Sequence, residues 1–344
     1  MFGNYFNRFC GERNIKQSTR KGYESTIKHY VSFHGQSLDK LIDEAIGEEE
    51  KMIPLKNRKL KNRLVEYRNH LLNSDISHST SKIYFSNIKT FYRHFEIEIP
   101  YLPIAKYRKE YETNYFDIPT KEHIAKALDV VSIDLKAIIL FMSSSGTAKA
   151  ETLSLTVEDF INATLEFHDG GSLKSILEIL SQKDDIVPTF YLKRVKTEKY
   201  YYTFCSPEAT SAIVKYLKTR KGLKLNDFLF EFTDSLLMAR FQEINDKFGW
   251  GYKGKYRFFR THSLRKFHAS NIGLGAEYVD ALQGRRKNEV HEAYIKTNPQ
   301  RLKEIYSSAM KNVMIGGGNL GKVENQEFTI VINVFLSGKE LNIF

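Results

Sequence analysis

Apolar residues recur every three or four positions through the first hundred residues, which is the spacing of one helix face. Leu60–Leu72 follows this pattern, with basic residues between its leucines. Ser79–Phe95 is a further predicted helix, and its pattern places Ile83 and several aromatic residues on the buried face. A shorter helix, Leu38–Ile46, is predicted within a charged connection that Pro54 ends. The pattern predicts an all-helical module with a basic exterior.

Two prolines, Pro100 and Pro103, stop this helical pattern, and a charged stretch follows them. Proline-rich and charged segments between periodic stretches are typical of linkers. We therefore predict a helical domain over residues 1–105, a linker over 106–117, a second domain over 118–314 and a tail over 315–344. Within that tail, Phe328–Phe335 has the composition of a β-strand.

The second domain combines helical spacing with one β-rich region. The apolar run Ile133–Met142 predicts a buried helix that Ser143–Gly146 ends, and the runs Thr189–Lys196 and Tyr200–Cys205 flank Thr197-Glu198 as a predicted hairpin. Further helices are predicted over Ala148–Leu155, Glu208–Leu217, Leu236–Phe248, Ser263–Leu274, Ala276–Leu282, Asn288–Lys296 and from Pro299 to about Val313. The expected fold class is mainly α, with a small antiparallel β-sheet in the second domain.

The net charge of the chain indicates what kind of molecule it binds. The 344 residues carry 52 Lys and Arg against 41 Asp and Glu, for a net charge of +11, and residues 1–110 alone hold 20 basic and 13 acidic residues. Such an excess favours nucleic acid as the partner. Cys10 and Cys205 have no metal-ligand spacing, and neither a membrane-length apolar run nor a signal peptide is evident. We expect a cytoplasmic protein with no membrane partner.

Candidate chemistry begins with His262 and Arg265, which lie one turn apart at a predicted helix start. Such a pair can aim two donors at one anion, assisted by the helix dipole, although a surface salt-bridge pair has the same spacing. A Leu-Gln-Gly-Arg run ends at Arg285, and Tyr294 follows nine residues later. The order of these residues resembles the tyrosine recombinase (integrase) family, and the Leu-Gln-Gly-Arg form resembles archaeal members.

The resemblance implies a role for each of these residues. Tyr294 would be the nucleophile that forms a 3′-phosphotyrosyl link to DNA, while Arg265, His262 and Arg285 would neutralise the phosphate. Tyr294 could instead be a core aromatic residue, in which case Tyr306 is the next candidate nucleophile.

The predicted hairpin contains a second match to the family. Lys196 resembles the family's β-hairpin lysine, which protonates the leaving 5′-oxygen as a general acid. Lys193 or Lys199 could take this role, and a solvated turn is also rich in lysine.

A third match is imperfect. Ser145–Leu155 resembles the family's box Thr-Gly-x-Arg-x-x-Glu-x-x-x-Leu, but aligning Gly146 and Glu151 places Ala148 where the first catalytic arginine belongs. Lys149 is the nearest cation, so either Lys149 replaces the arginine as a point charge or the site is crippled. Glu151 would be the acidic residue that supports the cations, or else a solvated helix glutamate.

The resemblance covers about residues 1–312. It implies a helical core-binding (SAM-like) domain followed by a mostly helical catalytic domain, acting on double-stranded DNA attachment sites as a homotetramer, with no cofactor and no metal. An integrase of an archaeal virus, plasmid or integrated element is the predicted role. Two alternatives stay open: a type IB topoisomerase, and a catalytically decayed recombinase that only binds DNA.

Overall fold

A computed structural model describes residues 3–103, 111, 114–285 and 298–316. The chain forms two compact units, Met1–Glu112 and Thr113–Phe344. Their division falls within the segment predicted as a linker, and the exact domain bounds stay a prediction. The predicted helix Asn288–Lys296 and the predicted strand Phe328–Phe335 lie outside the described residues.

The described part of the first unit is helical throughout. Its helices are α1 (Asn4–Glu12), α2 (Gln17–His34), α3 (Leu38–Glu50), α4 (Lys59–Asn73) and α5 (His78–His94), with a 3-10 turn at Leu55–Asn57. Tyr30, Tyr67 and Tyr92 are fully buried where α2, α4 and α5 pack, and the hydroxyls of Tyr30 and Tyr92 are hydrogen-bonded at 3.0 Å. Large aromatic rings therefore form much of this core.

Ile83 is a correction to the predicted helix face. Its side chain is 57% exposed, whereas Phe85, two residues later, is buried. The buried positions Ser81, Phe85, Ile88 and Tyr92 follow one another at intervals of three or four residues, so position 83 falls on the opposite side of α5.

The second unit is mostly helical with short strands. Its elements are α6 (Lys121–Asp129), α7 (Ile133–Ser145), α8 (Lys149–Ser154), α9 (Val157–Ala163), α10 (Leu173–Ser181), β1 (Thr189–Lys193), β2 (Tyr200–Phe204), α11 (Pro207–Thr219), α12 (Asp234–Lys247), β3 (Tyr252–Lys253), β4 (Tyr256–Arg257), α13 (Thr261–Asn271), α14 (Ala276–Leu282) and α15 (Pro299–Ala309). Further 3-10 turns lie at Tyr115–Asp117, Leu165–Phe167 and Met310–Asn312.

The central element of the second unit is α7, which packs against α11 and α13. Every residue from Ala137 to Ser145 is buried, which confirms the predicted buried helix. The serines near its end are satisfied locally, since Ser144 and Ser145 donate their hydroxyls to carbonyls one turn earlier. Gly146 then ends the helix in the left-handed conformation, at φ +66°.

The predicted hairpin is confirmed. β1 and β2 pair antiparallel with Lys193 opposite Tyr200, and β3 and β4 form a second, two-residue pair. β1 ends at Lys193 and not at Lys196 as predicted. The chain turns directly after Arg194, because the carbonyl of Arg194 accepts from the N–H of Glu198 while its own N–H donates to the carbonyl of Lys199. Lys196 is therefore a turn residue. The described elements confirm a mainly α fold with small antiparallel sheets.

Other sequence expectations can be compared with the described residues. No helix among them is long and apolar enough to cross a membrane. Nor do these residues gather three or more His, Cys, Asp or Glu side chains that could hold a metal ion. Cys10 and Cys205 are both buried, and both are free thiols.

We predict that Gly146→Ala strongly destabilises the second unit. A Cβ atom at Gly146 would lie 2.5 Å from Nδ1 of His268 and 2.7 Å from the side-chain nitrogen of Gln283. Overpacking of roughly 1–3 kcal/mol then adds to a left-handed backbone cost of about 1 kcal/mol, for a total near 3 kcal/mol. Gly222→Ala is the matched control, since Gly222 also has φ +66° but has open space around it. Denaturant unfolding should show a loss for Gly146→Ala that clearly exceeds the control; equal losses would contradict the packing argument.

Candidate active site

Arg265 is the fixed point of the candidate site. It lies in the second turn of α13, a helix that begins where the backbone N–H of Arg260 donates to the hydroxyl of Ser263 at 3.0 Å. The Arg265 side chain is buried, and its two terminal nitrogens donate to the carbonyls of Gly146 (2.6 Å) and Gln283 (2.8 Å). Among the described residues no carboxylate forms an ion pair with it. Backbone dipoles therefore hold this guanidinium.

Gln283 ties the same elements together from its side chain. Its amide nitrogen donates to the carbonyl of Arg265 at 3.1 Å and contacts Nδ1 of His268 at 3.0 Å. Gly284 follows at φ +58°, and a Cβ there would meet the ring of Tyr201 at 2.5 Å. Gln283 and Gly284 of the Leu-Gln-Gly-Arg run are thus required by the packing around them as well as by the motif.

The hairpin approaches this cluster through Arg194 and Val195. The guanidinium of Arg194 donates to the Gln283 carbonyl at 2.8 Å, and the backbone N–H of Val195 donates to Glu151 at 3.2 Å. Glu151 is only 3% exposed, and its second carboxylate oxygen has no hydrogen-bond partner among the described residues. The solvated alternative for Glu151 is therefore wrong, because this carboxylate is buried beside cations.

A groove of 840 Å³ opens beside Arg265. Lys149, His262 and Arg265 line it together, and they are three of the predicted site residues. Phe241 of α12 also lines it, and its other basic and aromatic lining residues come from the β3–β4 region and the segment that leads into α13: Tyr252, Lys255, Tyr256, Arg257, Phe259 and Arg260. No carboxylate is among the described residues that line it. The charged side chains among these lining residues are therefore all basic.

The remaining predicted residues are placed differently. Lys149 begins α8 and pairs with Asp234 at 2.5 Å. Arg285 is exposed, with its guanidinium 3.5 Å from the carboxylate of Asp280. Lys196 is exposed in the hairpin turn, and Tyr294 lies outside the described residues.

Electrostatics in the groove follow from burial and from like charges. Burial lowers the pKa of Arg265 to about 10, and the positive charge of Arg194 is the next largest cause. His262 is exposed at the groove, where desolvation by the surrounding protein and then the charges of Arg260 and Lys266 hold its pKa below the usual 6.5, so its imidazole is neutral at pH 7. Burial is the largest cause of both shifts, and the neighbouring cations add to it. A bound anion would relieve them.

Tyr306, the second candidate nucleophile, is placed where it cannot react with DNA. It is fully buried in α15, its hydroxyl donates to the Ser144 carbonyl at 3.0 Å, and burial raises its pKa well above 10. A phenol enclosed in this way is a packing residue.

Sequence reasoning missed Arg194, Tyr201 and His268. Tyr201 and His268 are buried beside Gly284 and Gly146, and the pKa of His268 is lowered to about 3, first by burial and then by Arg265. Arg194 lies within Thr189–Lys196, the first run of the predicted hairpin, and its position just before the turn could have marked it as a candidate. The roles of Tyr201 and His268 depend on contacts across the fold, for which a single sequence carries no signal.

Comparison with solved structures identifies the fold. The XerH site-specific recombinase bound to difH substrate is 16% identical, with a TM-score of 0.51, over 87% of this chain and 82% of that one. A lambda integrase tetramer bound to a Holliday junction is 14% identical, with a TM-score of 0.54, over 86% and 79%. The Tn1549 transposon integrase in complex with transposon right end DNA is 14% identical, with a TM-score of 0.52, over 87% and 96%. No protein-family model and no curated protein sequence matches the chain. The chain therefore has the tyrosine recombinase fold.

The buried imidazole of His268 makes stability depend on pH. Its pKa in the folded chain is about 3, whereas an unfolded histidine titrates near 6.5. The unfolded chain therefore takes up the proton first, and the free energy of unfolding falls as the pH drops from 6.5 towards 3. Between pH 7 and pH 5 this residue should cost about 2 kcal/mol.

His268→Asn removes the titration and keeps an acceptor for Gln283. Denaturant unfolding at pH 7 and pH 5 should show a smaller loss of stability for this variant than for the parent. Equal losses in the two proteins would mean that His268 is already protonated in the folded chain at pH 5.

Proposed function

We propose that this protein is a site-specific DNA recombinase that cuts and rejoins DNA through a 3′-phosphotyrosine intermediate. One observation carries the proposal: Lys149, His262 and Arg265 line one groove that has no carboxylate among its described lining residues. The tyrosine recombinase fold supports it, because that groove is built from the motif residues on which the family resemblance rests. A phosphodiester is the anion that such a groove would take.

In this proposal Tyr294 attacks the scissile phosphorus. A bond forms between its phenolic oxygen and phosphorus while the bond to the 5′-oxygen breaks. The phenolic proton is released to solvent, and Lys196 gives a proton to the leaving 5′-oxygen. Rejoining reverses these steps, so the energy of the broken ester is conserved in the phosphotyrosyl link. Neither a metal nor a cofactor is required for this chemistry.

The cations act on the charge that develops during the step. Arg265 is held by two carbonyls before substrate arrives, so it is already oriented when negative charge grows on the non-bridging oxygens. Neutral His262 can donate or accept a hydrogen bond there, while Lys149 and Arg285 add charge. Buried Glu151 supports the cations and fixes the hairpin through Val195.

Partners follow from the same proposal. The solved relatives include complexes with DNA, one of them a tetramer on a Holliday junction. We propose double-stranded attachment sites as substrate, a homotetramer as the active assembly, and DNA-backbone contacts from the basic first unit. The Leu-Gln-Gly-Arg run ending at Arg285 favours an integrase of an archaeal virus, plasmid or integrated element.

Two other functions remain as alternatives. Ala148 in the arginine position is the observation that favours a decayed recombinase, which would bind DNA without forming a covalent adduct. A type IB topoisomerase would use the same tyrosine chemistry on one duplex. Relaxation of a supercoiled plasmid without joining of two sites would identify the topoisomerase.

Tyr294→Phe should abolish covalent adduct formation and leave DNA affinity within about twofold, because only the hydroxyl is removed. The substrate is a nicked duplex, chosen so that the cut fragment diffuses away and the adduct cannot reverse. Its sequence is selected from a randomised pool of duplexes by covalent capture on the parent protein. Tyr306→Phe is the matched control, since its hydroxyl is buried against Ser144. It should lose about 1 kcal/mol of stability and keep the adduct. An adduct in Tyr294→Phe would assign the nucleophile to another residue.

Lys196→Ala should slow cleavage of the ordinary duplex by roughly 100-fold or more. It should cleave at the parent rate when sulfur replaces the bridging 5′-oxygen, because a thiolate leaves without being protonated. Lys193→Ala and Lys199→Ala are matched hairpin controls, expected to lose little on either duplex. Sulfur rescue of a different lysine variant would transfer the general-acid role to that residue.

A further inference from the structure

The carbonyl oxygen of Gln283 accepts hydrogen bonds from two arginines. Arg194 and Arg265 each donate to it at 2.8 Å, so the two donor nitrogens lie within twice that distance of each other. These arginines come from different elements, one from the neck of the β1–β2 hairpin and the other from α13. The fold thus places two guanidiniums side by side.

Arg194 is held in this place by its own backbone. Its N–H donates to the carbonyl of Lys199 and its carbonyl accepts from the N–H of Glu198, both at 2.7 Å. The next residue, Val195, is bonded to Glu151. A guanidinium has five N–H donors, and the bond to Gln283 uses one of them. Arg194 is therefore anchored on both sides, with donor capacity beyond this bond.

The charge around the two arginines does not balance. Glu151 is the carboxylate whose charge acts on Arg265, while Arg194 and Arg285 act on it as like charges. One oxygen of Glu151 is already bonded to Val195, and the other has no partner among the described residues. Arg285 also has Asp280 at 3.5 Å, so two carboxylates lie beside three guanidiniums, and the remaining positive charge is one that a phosphate group would offset.

We infer that Arg194 is a catalytic phosphate-binding residue, which supplies the guanidinium that Ala148 cannot. The inference rests on the proposed function and deepens it. Arg194 and Arg265 each donate to non-bridging oxygens of the scissile phosphate, and these bonds strengthen as charge grows on the oxygens. Lys149 lines the groove and contributes a point charge, but its ammonium is paired with Asp234 and has no planar fork.

The test uses two duplexes that differ at the scissile phosphate. One carries the normal phosphodiester, and the other a methylphosphonate in which a methyl group replaces one non-bridging oxygen and removes the charge. Arg194→Ala should cleave the normal duplex at least 100-fold more slowly than the parent in a single turnover. It should come close to the parent on the methylphosphonate, because no charge then needs to be neutralised.

Three further variants make the result specific. Arg194→Lys should recover only part of the lost rate on the normal duplex, since lysine lacks the fork. Lys149→Ala should lose less than Arg194→Ala. Arg240→Ala, which removes an exposed arginine paired with Glu243, should behave as the parent.

Each outcome decides the inference. A loss of equal size on both duplexes would mean that Arg194 only shapes the hairpin, and an unchanged rate on the normal duplex would exclude any role; either result overturns the inference. If the parent forms no adduct on either duplex, the proposed function fails, and the inference about Arg194 fails with it. A parent preference for the normal duplex that disappears in Arg194→Ala supports phosphate binding by Arg194, and a preference that persists overturns it.

Discussion

The guanidinium of Arg265 is a buried cation held by backbone carbonyls, and the rest of the site depends on this arrangement. A buried charge is costly unless fixed dipoles or opposite charges surround it. Here the two acceptors, Gly146 and Gln283, lie 119 and 18 residues away along the chain. The cation can therefore be stabilised only after the end of α7, the start of α13 and the turn after α14 have assembled. Folding and formation of the site are one event for this residue.

The carboxyl end of α7 explains how several elements meet at that point. The last carbonyls of a helix lack partners within it and need outside donors. The Ser144 carbonyl accepts from Tyr306, that of Ser145 from Thr203 at 3.1 Å, and that of Gly146 from Arg265. Three elements, α15, β2 and α13, are thus attached to one helix end. The negative end of the helix dipole also faces the buried guanidinium, which favours a cation there.

The sequence alone predicts much of this architecture and little of its detail. The periodic helices, the hairpin and the mainly α class are predicted because local spacing determines them. The short helices α9 and α10 were missed, although Thr156 and Asp159 form a capping pair at the start of α9 and Ser172 caps α10. Ile83 was misplaced because it is an isolated apolar residue on the otherwise polar face of α5. Burial of Glu151 and the contact of Arg194 with Gln283 arise from residues far apart in the chain, so no periodic pattern carries them.

The alanine in the arginine box shows why motif position and chemical role should be considered separately. A phosphate responds to where positive charge and donors lie in space, and not to which element carries them. Ala148 is extended just before α8, and Lys149 begins that helix and reaches the groove while paired to Asp234. Arg194 reaches the Gln283 carbonyl from the hairpin, and the next residue, Val195, bonds Glu151. A chain that lacks the arginine of the box thus still gathers guanidiniums beside the same buried carboxylate. The missing arginine therefore does not leave this carboxylate without guanidiniums, because Arg194 at the hairpin neck and Arg265 on α13 both bond the Gln283 carbonyl.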